Sequence, residues 1–143
     1  MPEQRIVPML AYEDAGAAID WLREAFGFEE VTDQRHTDGD GTVTHAELRA
    51  GESAIFLATP NKDYESPRRH RETCDAAGRW LDNPWVIDGV YVGVDDLDRH
   101  FERARAAGAT ILRSPEDPGI GQRIYSAEDL EGHRWMFGET GQR

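Results

Sequence analysis

One supersecondary pattern occurs twice in this chain, and nothing else in its 143 residues limits the fold as tightly. In the second copy Val90, Val92 and Val94 alternate with Tyr91 and Gly93, the period-2 spacing of a strand. Asp95 and Asp96 follow and offer side-chain oxygens to the unpaired N–H groups that open a helix. Leu97, Phe101, Ala104 and Ala107 then recur at helical spacing, and Gly108 is a natural stop. The first copy reads the same way: a strand over 6–12, Asp14 as the cap, an apolar stripe of Ala15, Ala18, Ile19, Leu22 and Phe26, and Gly27 as the stop. A shift of 82 residues lays Asp14 on Asp96, Ala15 on Leu97 and Ile19 on Phe101, with the second helix one residue shorter. Two copies predict two modules of about 60 residues. Neither would bury much surface by itself, so they are expected to pack on each other or across a dimer.

Each copy continues with three more strands. In the first these read as 28–35, 42–49 and 53–59, with Asp38-Gly39-Asp40-Gly41 as a hairpin turn. The same four residues resemble the start of a calcium loop, but Arg49 stands where the closing glutamate belongs. In the second copy the strands read as 109–113, 121–127 and 133–138, with a Pro/Gly loop over 114–121 and a turn over 129–132. Gly119-Ile120-Gly121 opens no helix, which excludes a phosphate cradle. The chain therefore divides into a first βαβββ module (1–60), a linker or lid (61–84) and a second βαβββ module (85–143), together one α+β domain. The connection carries the basic run Arg68-Arg69-His70-Arg71, and a short helix is expected between 72 and 81 with Cys74, Ala77 and Leu81 on one side. A connection of this length reads equally as a functional lid or a plain linker.

Composition narrows the partners. The formal charge is −12, and residues 1–60 hold 12 acids against 4 bases. Such a surface repels nucleic-acid backbones and anionic lipid, and attracts cationic ligands. No apolar run approaches the ~20 residues that cross a bilayer, and none follows the opening MPEQR, so no secretory signal is expected. One cysteine, Cys74, allows no intrachain disulfide and fits a cytoplasmic location.

Taken together, these features resemble the vicinal oxygen chelate superfamily, which includes glyoxalases, bleomycin resistance proteins, fosfomycin-modifying enzymes and extradiol dioxygenases. The carriers are the doubled βαβββ unit, the strand-Asp-helix opening that ends in AFGF (25–28), and the run from Tyr125 to Phe137 with its Glu-Gly-His turn. HAEL (45–48) and VDDLD (94–98) resemble an uncharacterised glyoxalase-like branch. The resemblance implies a half-open curled sheet around a pocket, the glyoxalase/bleomycin resistance fold, and a homodimer. Metal enzymes of the superfamily hold a divalent ion from four strands, and those positions fall on Val7, Glu47, Gly89 and Met136. Only Glu47 can ligate a hard or borderline ion. No cofactor is therefore expected, with a divalent metal as the alternative.

Strand alternation then sorts the pocket side from the helix side. Val7, Met9, Ala11, Val43, His45, Glu47, Gly89, Tyr91, Gly93, Arg134 and Met136 fall on the pocket side; Leu10, Leu48, Val90, Val92, Trp135 and Phe137 fall under the helices. His45 and Glu47 sit two apart, where the carboxylate favours the imidazolium and can orient it; the pair reads equally as a structural ion pair with Arg123 or Arg134. Arg123 and Tyr125 share a strand face, and Trp80 and Trp85 flank the connection where they are placed to stack on a planar or cationic ligand. The ligand-binding set is thus His45, Glu47, Met9, Tyr91, Arg123, Tyr125, Met136, Trp80 and Trp85, with no residue assigned to catalysis. The expected function is metal-independent binding of a small molecule, cationic or aromatic, sequestering a toxic or antibiotic-like compound. The alternative is a metal-dependent lyase, isomerase or dioxygenase with Glu47, His45 and Asp88 as donors.

Overall fold

The computed structural model describes residues 4–80 and 89–140. Strand β1 (Met9–Ala11) leads through Asp14 into helix α1 (Ala15–Phe26), and β2 (Glu29–Glu30), β3 (His36–Thr37), β4 (Val43–Ala50) and β5 (Ser53–Ala58) follow. Two short helices, α2 (Pro67–Thr73) and α3 (Asp75–Trp80), make up most of the described connection. Strand β6 (Gly89–Val94), helix α4 (Leu97–Ala106) and strands β7 (Thr110–Glu116), β8 (Ile124–Glu128) and β9 (Arg134–Glu139) repeat the opening pattern. The strands form two sheets, ordered β1-β5-β4-β2 with β3 also on β4, and β6-β9-β8-β7. In both, the first strand of the unit runs parallel to the last. The sheets do not close into a barrel.

Both helices start as the sequence predicts. The Asp14 carboxylate accepts from the Ala17 N–H at 3.0 Å, and Asp96 accepts from Arg99 N–H at 3.1 Å. Helix α1 buries Ala15, Ala18, Ile19, Leu22, Ala25 and Phe26, while α4 fully buries only Leu97 and Ala104. Against them pack Ala46, Leu48, Ile55 and Leu57 of the first sheet and Tyr125, Ala127, Trp135 and Phe137 of the second, in one core. Phe26 is its hub, with ring centroids 4.7 Å from Phe137 and 5.4 Å from Trp135; truncating such a ring costs about 3–5 kcal/mol.

The end of α1 is finished by the other copy. Gly27 takes φ 77°, and the Arg103 guanidinium of α4 donates to the last-turn carbonyls of Glu24 (2.8 Å) and Arg23 (3.1 Å). A Cβ at Gly27 would stand 2.9 Å from that guanidinium. One turn earlier on α4, His100 reaches the Phe26 carbonyl with Nε2 at 3.0 Å and the Tyr125 hydroxyl with Nδ1 at 2.5 Å. A carbonyl can only accept, so Nε2 carries the proton and Nδ1 accepts from tyrosine. Burial lowers the His100 pKa, which keeps the ring in this neutral form.

Several elements differ from their predicted extent. The strand expected over 28–35 is extended only at Glu29–Glu30 and then gives way to a 3-10 turn at Thr32–Gln34, over which Arg35 folds back onto Glu30 in a bidentate pair at 2.7 and 3.0 Å; β3 follows at His36–Thr37. The strand expected over 6–12 is regular over Met9–Ala11, with flanking backbone bonds at Pro8 and Tyr12, and α4 is two residues shorter than α1 rather than one, with 10 against 12. The basic run of the connection is helical: Pro67 opens α2 and Ser66 caps it by accepting from Arg69 N–H. The short helix expected between 72 and 81 is α3, but Cys74, expected on its face, instead lies before it, with an extended backbone (φ −135°) that separates α2 from α3. Leu81, Trp85 and Asp88 lie outside the described residues.

Candidate functional site

Pairing register decides which side chains share the faces turned away from the helices. On the first sheet Glu47 pairs with Phe56, and Phe56 with Met9, so the three form a row across β4, β5 and β1. On the second sheet Tyr91, Met136 and Ser126 form one row and Gly89, Arg134 and Glu128 the next. These open faces are the candidate binding surface.

On the first sheet the Glu47 carboxylate is buried, at 7% residue exposure, and its contact is Arg49, 3.9 Å away and two residues along the same strand. That partner replaces Arg123 and Arg134, the two candidates the sequence offered. The His45 ring stands edge-on to Phe56 at 5.0 Å and lies 5.9 Å from the ring of His36, its partner on β3. Met9 is widely exposed at 78%. On the second sheet Met136 is half-buried and Tyr91 half-exposed.

Other predicted members lie elsewhere. Tyr125 is fully buried on the helix side of β8, stacked on Phe137 at 4.9 Å and bonded to His100, so it belongs to the core. Arg123 precedes β8 and turns to α4, where it forms a bidentate pair with Asp98 at 2.6 and 3.2 Å. Val43 also leaves the pocket side: a register shift between β3 and β4 rotates it into the core. Trp80 ends α3 with its ring half-exposed, and Trp85 is outside the described residues.

Sequence reasoning missed the structure around the turn that follows β8. Glu128 is 1% exposed on the open face and accepts from Arg71 of α2 at 2.7 Å, with Arg68 and Arg134 each 4.0 Å away. Asp129 is wholly buried: one oxygen takes the Tyr12 hydroxyl at 2.5 Å and the Trp135 indole N–H at 3.0 Å, and the other takes the Glu131 and His133 backbone N–H groups. Glu131 accepts from the Glu13 and Asp14 N–H groups at the start of α1, and His133 reaches the Ala11 carbonyl at 2.6 Å. The turn therefore fastens the second unit to the first. Helix α2 is fastened as well, through Arg69 to Glu13 at 2.6 Å and Ser66 N–H to Glu13 at 2.9 Å. The Ser66 hydrogen bonds, then Arg69, pull the Glu13 carboxyl down to about 2. The first half of the connection is thus a brace pinned to both units. Its signal in sequence was the coincidence of three arginines in 68–71 with three acids in 128–131, legible only once the fold brings them together.

A second recess of about 510 Å³ opens at the start of α1, lined by Glu13, Asp14, Asp38, Asp40, Lys62 and Tyr64 among others. Burial raises the Tyr64 hydroxyl to about 12. The two hairpin aspartates, weighed from sequence as a calcium loop, form its rim; Asp38 accepts from its own loop at Asp40 and Thr42 N–H.

The donor set does not fit a divalent ion. Val7, Gly89 and Met136 offer no hard or borderline donor at three of the four family positions, and among the described residues no three His, Cys, Asp or Glu side chains come together to hold one.

Comparison with known proteins bears on the same geometry. The family model of the Glyoxalase/Bleomycin resistance protein/Dioxygenase superfamily matches residues 5–137. The chain belongs to this superfamily. An uncharacterised protein of Mycobacterium bovis is 31% identical over 141 residues, covering 96% of this chain and 84% of the relative. Among solved structures, TioX from Micromonospora sp. ML1 is 33% identical and superposes with a TM-score of 0.68, covering 98% of each chain. The fosfomycin resistance protein FosX from Listeria monocytogenes, 14% identical with a TM-score of 0.63 over 99% of this chain and 97% of its own, shares the fold. No described helix is long and apolar enough to cross a membrane.

Proposed function

We propose that this chain is a metal-independent small-molecule-binding protein of the bleomycin resistance type, sequestering a toxic or antibiotic-like compound. The observation that carries the reading is the row Glu47–Phe56–Met9 with His45 beside it: one buried carboxylate among aromatic and apolar side chains. A few polar groups on an apolar lining suit a small-molecule site. A carboxylate contributes about 1.5–3 kcal/mol through a hydrogen bond to a charged group, and an aromatic ring beside it adds attraction for a cation. The ligand favoured is therefore cationic with a planar group, and the charge of −12 draws it in from a distance. The protein acts in the cytoplasm as a homodimer in which a second copy covers open sheet.

Calorimetric titration of metal-depleted protein with bleomycin, a cationic probe with planar rings, tests this. One molecule bound per chain is expected, with Glu47→Gln weakening it about tenfold. Stoichiometric zinc, nickel, manganese or iron in the purified protein, lost in Glu47→Ala, would overturn the reading in favour of a metal-dependent lyase, isomerase or dioxygenase. So would turnover of the compound by wild type when Glu47→Gln still binds it normally.

A further inference from the structure

Between the two sheets runs a slot of about 230 Å³ that shares Tyr91 with the open face of the second sheet and is distinct from the Glu47–Phe56–Met9 row. Its walls are Ile6 and Pro8 before β1, Ala54 and Ile55 of β5, Val90 and Val92 of β6, and Trp135 and Phe28 behind them. Strand β6 is an edge strand, so alternate backbone groups along it point away from β9 into this seam. Tyr91 and Arg49 stand in the same slot.

Tyr91 is the unusual member. Its side chain is 52% exposed, yet its hydroxyl is fixed. Gln122 donates Nε2–H to it at 2.9 Å and is itself tied to the Glu139 carbonyl at 2.8 Å. The phenol end also lies on Gly138, where a Cβ would meet the hydroxyl oxygen at 2.0 Å and the ring at 2.8 Å. Glycine at that position lets the ring lie flat on β9, and Gln122 stops it from turning away. An exposed ring held in this way loses little freedom when something stacks on it. Across the slot Arg49 brings a planar guanidinium, which also stacks on aromatic faces. Its charge is offset by Glu47 at 3.9 Å and by Glu29, its partner on β2, so the slot does not select a net anion.

We propose that this slot binds a neutral, planar aromatic group, with Tyr91 as the stacking platform, Gln122 and Gly138 holding that platform in place, and Arg49 on the opposite side. This deepens the small-molecule reading by adding a second contact point, at the seam rather than on the Glu47 face.

The probe is 2-naphthol, with decahydro-2-naphthol as a saturated control of similar shape, titrated into the full-length protein by calorimetry. Naphthol is expected to bind at least fivefold more tightly than the saturated alcohol. Tyr91→Leu, which keeps the slot apolar, should weaken naphthol about five- to tenfold, in line with ~0.5–1.5 kcal/mol for aromatic pairing. Gln122→Leu, which keeps the ring but frees its hydroxyl, should cause a smaller loss in the same direction. Thermal unfolding of both variants checks that they remain folded. Equal affinity for the two alcohols, or naphthol binding unchanged in folded Tyr91→Leu and Gln122→Leu, would overturn the proposal. Naphthol lost in Glu47→Gln but kept in folded Tyr91→Leu would put the aromatic group on the other face and sink this inference while leaving the small-molecule reading standing.

Discussion

The two sheets each bury a glutamate on the open face, and the two are treated very differently. Glu128 on β8 is clamped by Arg71 at 2.7 Å, with Arg68 and Arg134 at 4.0 Å, and the turn after it holds both units and α2 together. Glu47 on β4 has Arg49 at 3.9 Å, beyond hydrogen-bond distance, and pairs across the sheet with Phe56, against whose ring His45 stands edge-on. Burial alone does not mark a functional carboxylate. A buried charge ringed by three guanidiniums, as Glu128 is, is a structural part even though its Oε1 makes no hydrogen bond among the described residues; one with a single loose partner on an open face has charge left for a ligand. On the proposed reading the clamp around Glu128 serves stability and the Glu47 row serves binding, and this contrast can be broken by experiment.

The largest effect is expected at the clamp. Glu128→Ala removes the counter-charge from Arg71 and Arg68 and leaves Arg134, 5% exposed, in a site already lowering its pKa through burial. Breaking a buried ion pair costs 3–5 kcal/mol; because Arg71 and Arg68 keep partial access to water, about 3 kcal/mol is expected by urea unfolding. A loss below about 1 kcal/mol would mean that α2 is not a brace. Asp129→Asn should follow at about 2 kcal/mol, since it weakens charge-assisted bonds from Tyr12 and Trp135 without emptying the site. If Asp129→Asn proves as stable as wild type, the turn is not what joins the units.

Next comes the dependence on pH. His100 is held neutral by burial, with its folded pKa below the unfolded value near 6.5. Above about pH 6.5 both states are neutral and its contribution is complete. As pH falls below 6.5 the unfolded chain takes up the proton first, so stability is lost until the folded-state pKa is reached, with a slope of at most about 1.4 kcal/mol per pH unit. His100→Gln should flatten the stability profile between pH 7 and 5.5. Glu13 adds a separate loss at lower pH, between its ordinary 4.5 and its folded value of about 2. An unchanged slope in His100→Gln would assign the neutral-range loss to another group.

Much of this architecture is legible in the sequence because it is local and periodic. The alternation of Val90, Val92 and Val94, the caps Asp14 and Asp96 and the stripe from Ala15 to Phe26 each report on their own neighbours, and the doubling fixes the two sheets. Misreadings begin where one residue changes the parity of a strand. The shift between His36 and Thr37 sends Val43 into the core while His45 stays outside. At Tyr125 the alternation was applied from the wrong partner: the residue was grouped with Arg123, whereas pairing with Phe137 puts it under α4. The clamp was illegible for another reason. Glu128 and Arg71 are 57 residues apart, and no periodicity relates a helix in a connection to a strand it covers. Phe56 could have been found, since a strand over 53–59 facing 42–49 sets an aromatic ring opposite Glu47.

The smallest effect on stability, and the sharpest on function, is expected at Glu47. Glu47→Gln keeps the side-chain shape and the capacity to hydrogen-bond, and it removes one charge whose close opposite among the described residues is Arg49, 3.9 Å off with its own side chain 53% exposed. A half-exposed pair at that distance contributes little, within about 1 kcal/mol. Removal of the charge also relieves the cost of burying it, so unfolding of Glu47→Gln should fall within about 1 kcal/mol of wild type in either direction. Binding should respond otherwise. A cationic ligand loses its counter-charge on that face and should bind about tenfold more weakly, while a neutral one of the same shape keeps most of its affinity. The comparison of the two glutamates rests on this dissociation. If Glu47→Gln destabilises as much as Glu128→Ala, or if cationic and neutral ligands weaken equally, then Glu47 is a second structural clamp and the recognition face lies elsewhere.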